Sequence, residues 1–152
     1  MANLTTDKGF LMRVTEVIDA WGHENIRSTH KTTLEITKET ALTRRGDCII
    51  AVCATKGATD LHSKFKEASR KEDAQITITV EADETKEIIQ AFGSPQLLFT
   101  HQTDLVVRKS DYVCGRTIAI RADRSAAELS RRLVEKLQNP HQKVRITLVV
   151  ES

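Results

Sequence analysis

An alternation of apolar and polar residues at every second position is the feature of this chain that most constrains its fold. It is clearest over residues 75–82 and 143–151, where Ile, Val or Leu recurs on one side and polar residues on the other. Successive side chains of a β-strand point to opposite faces of a sheet, so both segments are predicted to be strands with one buried face. A chain organised in this way folds into packed sheets and not into a helical bundle.

Further strands are predicted from the same alternation and from short apolar runs bounded by turn residues. Residues 47–54 are apolar on both faces, which indicates a central strand covered on both sides. We expect the first two strands to form an antiparallel pair. The predicted strands are 11–20, 31–37, 47–54, 75–82, 84–92, 105–107, 117–121 and 143–151.

Two amphipathic helices are predicted, over residues 60–71 and 125–138. The first has apolar residues at i, i+4 and i+7, which places them on one face. The second begins with Ser125 and Glu128 at the spacing of a capping box, in which each side chain binds a free amide of the first turn. Both helices therefore have one face to bury against a sheet.

The arrangement of these elements indicates the fold class. The first helix lies between strands 47–54 and 75–82, and such a unit can form a right-handed crossover between parallel strands. We predict an α+β fold, mostly β, in which two sandwich-like layers of sheet carry two accessory helices. No internal repeat or linker is evident, so residues 1–152 are predicted to be a single domain.

Charge and cysteine content limit the class of protein. Lys and Arg total 23 against 21 Asp and Glu, so the net charge of +2 does not require a nucleic-acid or membrane partner. Three Cys without a secretory signal indicate reduced thiols and a cytoplasmic location. The longest apolar run, residues 48–54, is far below the roughly 20 residues that span a bilayer. Residues 1–9 show no periodicity and are predicted to be a frayed terminus.

Several enzyme and binding classes lack their motifs in this sequence. It contains no GxGxxG, GxxxxGK[ST] or GxSxG pattern, which argues against dinucleotide binding, P-loop nucleotide hydrolysis and a serine hydrolase. One Tyr, one Trp and four Phe give little support for a base-stacking surface. No sequence motif decides whether the protein is an enzyme, and no cofactor can be assigned.

The first polar stretch, residues 21–48, combines several chemically active side chains with strand and turn patterns. A histidine or aspartate here could act as a general base. The catalytic candidates are His23, His30 and Asp47. The ligand-binding candidates in this stretch are Glu35 and Arg45.

A metal site is the alternative use of the same stretch. His23 and His30 could converge across a turn, with Asp47, Cys48 or Glu35 completing the ligand set. No HxxxH, HExxH or CxxC spacing accompanies them, and loop histidines are more often hydrogen-bonded or solvated. We therefore predict no metal site.

The second polar stretch, residues 108–116, has the sequence RKSDYVCGR. Its arginines stand at strand ends beside Ser and Gly, where guanidinium groups and free amides could bind a phosphate or carboxylate. A solvated charged rim and a simple Ser or Asp turn are the alternatives. Cys114 could also be a thiolate nucleophile paired with His23 or His30. The ligand-binding candidates are Arg108, Ser110, Asp111 and Arg116.

We hypothesise that the two polar stretches meet in space, because neither alone has enough groups to hold a ligand. The groups expected to pair are Arg45, Asp47, Arg108, Asp111 and Arg116. A structural ion-pair cluster would have the same sequence pattern.

Two functions remain open. In the first, the meeting stretches form a pocket that binds a small anionic ligand, and a His or Asp is the general base if chemistry occurs. In the second, the basic outer face of helix 60–71, with Arg131 and Arg132, binds RNA or a ribonucleoprotein through phosphate contacts. The sequence does not indicate an oligomeric state.

Four segments resemble the archaeal family catalogued as domain of unknown function 371: GHENIRSTHKTTLEITKE, LTRRGDCIIAV, RKSDYVCGRTIAIRAD and SAAELSRRLVEKL. Glu24 is a departure, since the family's pattern has Pro after Gly-His. The resemblance covers nearly the whole chain. It implies an archaeal cytosolic protein with a β-sandwich-like fold and accessory helices, and it implies no activity.

Overall fold

A computed structural model describes residues 12–152, so the prediction for residues 1–9 lies outside the described part. Eight strands and two helices are found there, and a single 3-10 turn (Ala58–Asp60 or Ala126–Glu128) precedes each helix. The strands are β1 (Arg13–Trp21), β2 (Thr33–Thr37), β3 (Ile49–Ala51), β4 (Gln75–Ala82), β5 (Thr85–Phe92), β6 (Asp104–Arg108), β7 (Thr117–Ala119) and β8 (Lys143–Glu151). The helices are α1 (Ser63–Ser69) and α2 (Arg131–Leu137).

The strands form two four-stranded sheets. The first sheet has the order β1-β8-β4-β5, and all of its pairs are antiparallel. The second sheet has the order β3-β2-β6-β7. Single bridges, from Trp21 to Val52 and from Phe92 to Ile120, join the two sheets at both edges. The predicted fold class, mostly β with two sheets and two helices, is confirmed.

The predicted strand pairing is wrong in two places. β1 pairs with β8 and not with β2, because the long strand β8 matches β1 over its full length. β3 and β4 lie in different sheets, so the chain makes no parallel crossover between them. The parallel pairs are instead β2 with β3 and β6 with β7. β3 is also a short strand at the end of its sheet, not a central one, and α2 contacts it.

Both helices are shorter than predicted for one local reason. The Ser125 to Glu128 capping box is present, but it closes a 3-10 turn, after which Leu129 is extended at φ −68° and ψ 144°. Helix α2 then begins anew, and the Ser130 side chain accepts the Leu133 amide as its N-cap. Helix α1 follows the same pattern, with His62 as its N-cap.

The chain contains two structural repeats, residues 13–82 (the first repeat) and 85–151 (the second repeat). Each repeat consists of three strands, a 3-10 turn, a helix and a final strand. Equivalent residues lie 71 positions apart up to the second strand, as His30 and His101 do, and 68 apart from the third strand onward. The crossover loop of the second repeat, 109–116, is shorter than that of the first, 38–48, which accounts for the change.

The backbone hydrogen bonds of the two repeats correspond closely. The His30 amide donates to the Asp47 carbonyl, and the His101 amide donates to that of Gly115. Exchanging the repeats reverses the strand order within each sheet, so an approximate twofold axis passes through both sheets. The expectation of no internal repeat is therefore wrong. Left-handed backbone also recurs at equivalent residues, at Ser28 with Phe99 and at Cys53 with Arg121.

The core lies between the two sheets and under the helices. Phe65 of α1 and Leu133 of α2 are fully buried at equivalent positions. They pack with the inward residues of β4 and β8 in one apolar cluster. No helix between residues 12 and 152 is long and apolar enough to cross a membrane.

Candidate functional site

The second sheet carries polar residues on the side opposite the core. Leu34 and Ile36 of β2 belong to the apolar core, so Glu35 between them points to the other side. Glu35 is paired with Val106 of β6, and these two positions are equivalent in the two repeats. Glu35 therefore lies at the approximate twofold axis.

The two crossover loops each bring one side chain to Glu35. Cys48, at the end of the first loop, donates its thiol to Glu35 Oε1 over 3.5 Å. Arg116, at the end of the second loop, donates Nη2 to the same oxygen over 3.4 Å. Cys48 and Arg116 occupy equivalent positions in the two repeats, so one site is built from both halves of the chain.

Asp104 of β6 supplies a second carboxylate. Arg116 Nη1 lies 3.1 Å from Asp104 Oδ2, and the Thr37 hydroxyl donates to Oδ1 over 2.8 Å. His101 Nε2 lies 3.9 Å from Asp104 Oδ2. One guanidinium thus bridges two carboxylates. We name Glu35, Cys48, Asp104 and Arg116 the carboxylate cluster.

Burial dominates the electrostatics of this cluster. The side chains of Glu35 and Asp104 are 7% and 9% exposed, whereas that of Arg116 is 39% exposed. Burial and then the charge of Asp104 raise the pKa of Glu35 to about 7, and Arg116 only partly opposes this shift. Burial and the charge of Glu35 raise the pKa of Cys48 to about 12. Near neutral pH, Glu35 can therefore gain or lose a proton while Cys48 stays a neutral thiol.

Arg108 forms a second polar group beside the cluster. Its Nε donates to Thr117 Oγ1 over 3.0 Å, its Nη2 lies 3.5 Å from Cys114 Sγ, and its guanidinium stacks 4.9 Å from the Tyr112 ring centre. Partial burial raises the pKa of Cys114, but hydrogen bonds outweigh this effect and lower the pKa overall. They come from the Arg116 amide, the Thr117 hydroxyl and the Arg108 guanidinium, not from a histidine.

His23 and His30 use a ring nitrogen for local backbone contacts. Nδ1 of His23 accepts the Asn25 amide over 3.0 Å. Nδ1 of His30 accepts the amides of Thr32 and Thr33 over 3.2 and 3.1 Å. In the neutral ring the proton is then on Nε2. A general base needs an unprotonated ring nitrogen, and in both residues that nitrogen, Nδ1, already accepts backbone amides.

The other predicted residues outside the cluster are exposed or act through their backbone. The Asp47 carbonyl accepts two amides from the loop before β2. Arg45, Ser110 and Asp111 are exposed, and Ser110 Oγ accepts the Tyr112 amide as in an ordinary turn.

The two polar stretches do meet, but through different partners than expected. The contact is between Glu35 and Arg116, and the second acid that pairs with Arg116 is Asp104 instead of Asp47 or Asp111. The strand pairing explains this choice of partner. The pairing of β2 with β6 aligns Thr37 with Asp104 and brings that acid beside Arg116.

The sequence reasoning missed Asp104, Thr37 and His101. The available signal was the similarity of HKTTL, beginning at His30, to HQTDL, beginning at His101. That similarity indicates a repeat, and a repeat places β2 next to β6 at the axis. Asp104 is then expected close to the end of β2.

The basic residues proposed for RNA contact are Lys64, Lys66, Arg70 and Lys71 of helix 60–71, with Arg131 and Arg132, and three of these six make contacts within the chain. Lys66 Nζ donates to the Thr59 carbonyl, and Arg70 donates to two carbonyls after Gly93. Arg131 donates to the carbonyls of several residues, including Leu129 at 2.8 Å. The other three residues of this set are exposed: Lys64, Lys71 and Arg132.

No group of three or more His, Cys, Asp or Glu side chains in residues 12–152 is arranged to hold a metal ion. His23 and His30, the ligands considered from sequence, instead make the local contacts described above.

Comparisons with known proteins identify relatives of the chain. Residues 18–151 match the family model described as domain of unknown function (DUF371). The chain is 45% identical over 122 residues to the "Uncharacterized protein MJ0206" of Methanocaldococcus jannaschii, an alignment that covers 80% of this chain and 90% of that protein. The carboxylate cluster, residues 35–116, lies within the matched range. The chain therefore belongs to the DUF371 family.

Proposed function

We propose that the carboxylate cluster binds a small anionic ligand through Arg116 and exchanges a proton with it through Glu35. The observation that carries this proposal is a buried carboxylate with a pKa of about 7 that contacts a half-exposed guanidinium. A titratable acid beside a group suited to hold a carboxylate or phosphate is an arrangement typical of functional sites.

Arg116 has donors to spare for such a ligand. A guanidinium carries five N–H groups, and Nη1 and Nη2 each use one of theirs on an acid of the cluster. Asp104 is also satisfied by the hydroxyls of Thr37 and Thr103, so it does not depend on Arg116 alone. A ligand can therefore share Arg116 without leaving a buried carboxylate unpaired.

Ligand binding at Arg116 should be coupled to proton uptake. When Glu35 is protonated, the cluster loses one negative charge and repels an anion less. A bound anion in turn raises the pKa of Glu35 further, by reciprocal linkage. Protonated Glu35 can then act as a general acid toward the ligand, and the ionised form as a general base.

Isothermal titration with sulfate and with succinate at pH 6 and pH 8 tests the proposal. Sulfate keeps its charge across this range, so any pH dependence belongs to the protein. We expect binding to be about fivefold tighter at pH 6 than at pH 8, as for a bound anion that raises the pKa of Glu35 by about one unit. Parallel titrations in buffers of different ionisation enthalpy should show proton uptake.

Two variants connect the result to the cluster. Arg116→Gln should weaken binding by at least about tenfold, as expected for a lost charge-assisted hydrogen bond. Glu35→Gln should remove the pH dependence and the proton uptake. Arg44→Gln is the matched control, because Arg44 is exposed in the first crossover loop and only its carbonyl accepts a bond. Binding that is equal at both pH values, or unchanged in Arg116→Gln, would contradict the proposal.

A further inference from the structure

No helix or strand within residues 12–152 covers the outer face of the first sheet, and apolar residues stand at the two edges of this face. Of the large apolar side chains that are exposed in residues 12–152, Val17 and Trp21 stand on β1 and Ile88 and Phe92 on β5. Their inward neighbours on the same strands, such as Ile18 and Ile89, are buried in the core. An apolar surface of this kind in a globular protein commonly marks an interaction site.

The strand register arranges this outer face in rows that cross all four strands. The central row is Val17, Thr147, Thr79 and Ile88. It offers apolar side chains at both ends and the methyl groups of threonine between them. The approximate twofold axis exchanges Val17 with Ile88 and Thr147 with Thr79, so the axis passes through this row.

A charged row lies beside the central one, two residues along each strand. Its members, in strand order, are Asp19, Arg145, Glu81 and Lys86. The charges alternate as negative, positive, negative and positive. When this row faces a reversed copy of itself, every acidic residue lies opposite a basic residue.

We propose that the outer face of the first sheet binds a second copy of this chain. The two copies face one another across a twofold axis parallel to the strands. Each row of one copy then lies opposite the same row of the other copy, with the strands in the reverse order. Asp19 then faces Lys86 of the other copy, and Arg145 faces Glu81. The copies pack with their strands within about 30° of each other, an offset that long Lys and Arg side chains can span.

The central row fits the same arrangement. Val17 of one copy faces Ile88 of the other, and Thr147 faces Thr79, so the middle of the interface is free of like charges. The face is four strands wide, at about 4.8 Å per strand, and as long as the 8 residues of β4, at about 3.3 Å per residue. Its area is therefore roughly 500 Å² per copy. The total of about 1,000 Å² meets the threshold for a biological interface and is typical of weak, transient complexes.

Sedimentation velocity of the intact protein between about 1 and 200 µM tests the proposal, because small interfaces are typical of weak complexes that form only at such concentrations. We expect the 17.0 kDa chain to form a dimer as the concentration rises. Val17→Glu should raise the dissociation constant at least tenfold. Leu98→Glu is the matched control, since Leu98 is 52% exposed but lies outside this sheet, and it should leave the dimer unchanged.

A mixing experiment tests the predicted facing pairs. Asp19→Lys and Lys86→Glu should each weaken self-association, because every copy then meets a like charge in its partner. An equal mixture of the two variants should associate as the wild type does, since each altered residue then faces an opposite charge. Circular dichroism of each variant checks that it is folded. A monomeric wild type at 200 µM, a dimer insensitive to Val17→Glu, or a mixture no stronger than the separate variants would overturn the proposal.

Discussion

The two repeats of this chain share a backbone frame and differ in the chemistry placed on it. In both, a histidine before the second strand accepts two backbone amides through Nδ1: His30 in the first repeat and His101 in the second. In both, a glycine after the first strand approaches a carbonyl at the end of the helix packed against it. A Cβ at Gly22 would lie 2.4 Å from the Leu137 carbonyl, and one at Gly93 would lie 2.0 Å from that of Ser69.

The repeats diverge where they meet at the approximate twofold axis. Glu35 is equivalent to Val106, and Cys48 is equivalent to Arg116. A symmetric frame therefore holds an asymmetric set of side chains at its centre. Folding alone does not require that difference, because an apolar pair would fill the same positions without burying charge. At the carboxylate cluster the shared frame therefore carries different chemistry in its two halves, as the proposed ligand site requires.

The largest effect should come from the equivalent core residues of the two helices. Phe65→Ala is expected to lower the free energy of unfolding by about 4 kcal/mol and Leu133→Ala by about 3 kcal/mol, because the larger side chain leaves the larger cavity. Urea unfolding followed by circular dichroism measures both. Lys64→Ala, an exposed neighbour in α1, should change little. A larger loss for Leu133→Ala would show that the two helices are not packed equivalently.

The next effect concerns Glu35, which has no charged equivalent in the second repeat. Its pKa is about 7 in the folded protein against an ordinary 4.5, so the folded state holds the proton more tightly. Stability therefore falls as pH rises from about 4.5 to about 7, and the full cost, up to about 3 kcal/mol, is present above pH 7. Glu35→Gln should be more stable than the wild type at pH 8 and close to it at pH 5. Urea unfolding at both pH values measures this, and equal differences at the two would contradict it.

The sequence predicted the strands and helices better than their arrangement. Alternation places residues in strands because it reflects local burial, and the strand over residues 143–151 was predicted with the observed bounds. Pairing depends on contacts between distant segments. The repeat would have supplied them, but its sequence signal is confined to short stretches such as HKTTL and HQTDL. The predicted pairing of β1 with β2 failed for this reason.

The candidate site was likewise predicted only in part, because local patterns indicate single residues and not their distant partners. Glu35 is conspicuous as a charged residue inside a strand pattern, and Arg116 as an arginine at a strand end beside Gly. Asp104 was missed because it stands at the start of β6, where an acid is a normal turn residue. His23 and His30 were overvalued, since a histidine that accepts neighbouring amides has the same sequence pattern as a free one.

A smaller effect should distinguish two equivalent acids of β1 and β5. Glu16 is buried, pairs with Lys56 and accepts the His62 amide at the start of α1. Glu87 pairs in the same way with Arg124 but is 16% exposed. Glu16→Gln is expected to cost about 2 kcal/mol, as for a buried charge-assisted hydrogen bond. Glu87→Gln should cost less than about 1 kcal/mol, and urea unfolding compares them directly. Equal losses would show that burial does not separate the two pairs.

The smallest effect should come from the two histidines that the repeats share. His30→Ala and His101→Ala each remove an acceptor from two backbone amides, and we expect a loss of about 1 kcal/mol, because water can replace the half-exposed ring. His101→Ala should cost somewhat more, since His101 also lies 3.9 Å from Asp104. Asn at either position keeps a side-chain oxygen that can accept the same amides. Thermal unfolding of the Ala and Asn variants should therefore show partial recovery by Asn at both positions, whereas recovery at only one would show that the shared hydrogen bonds contribute unequally to the two halves.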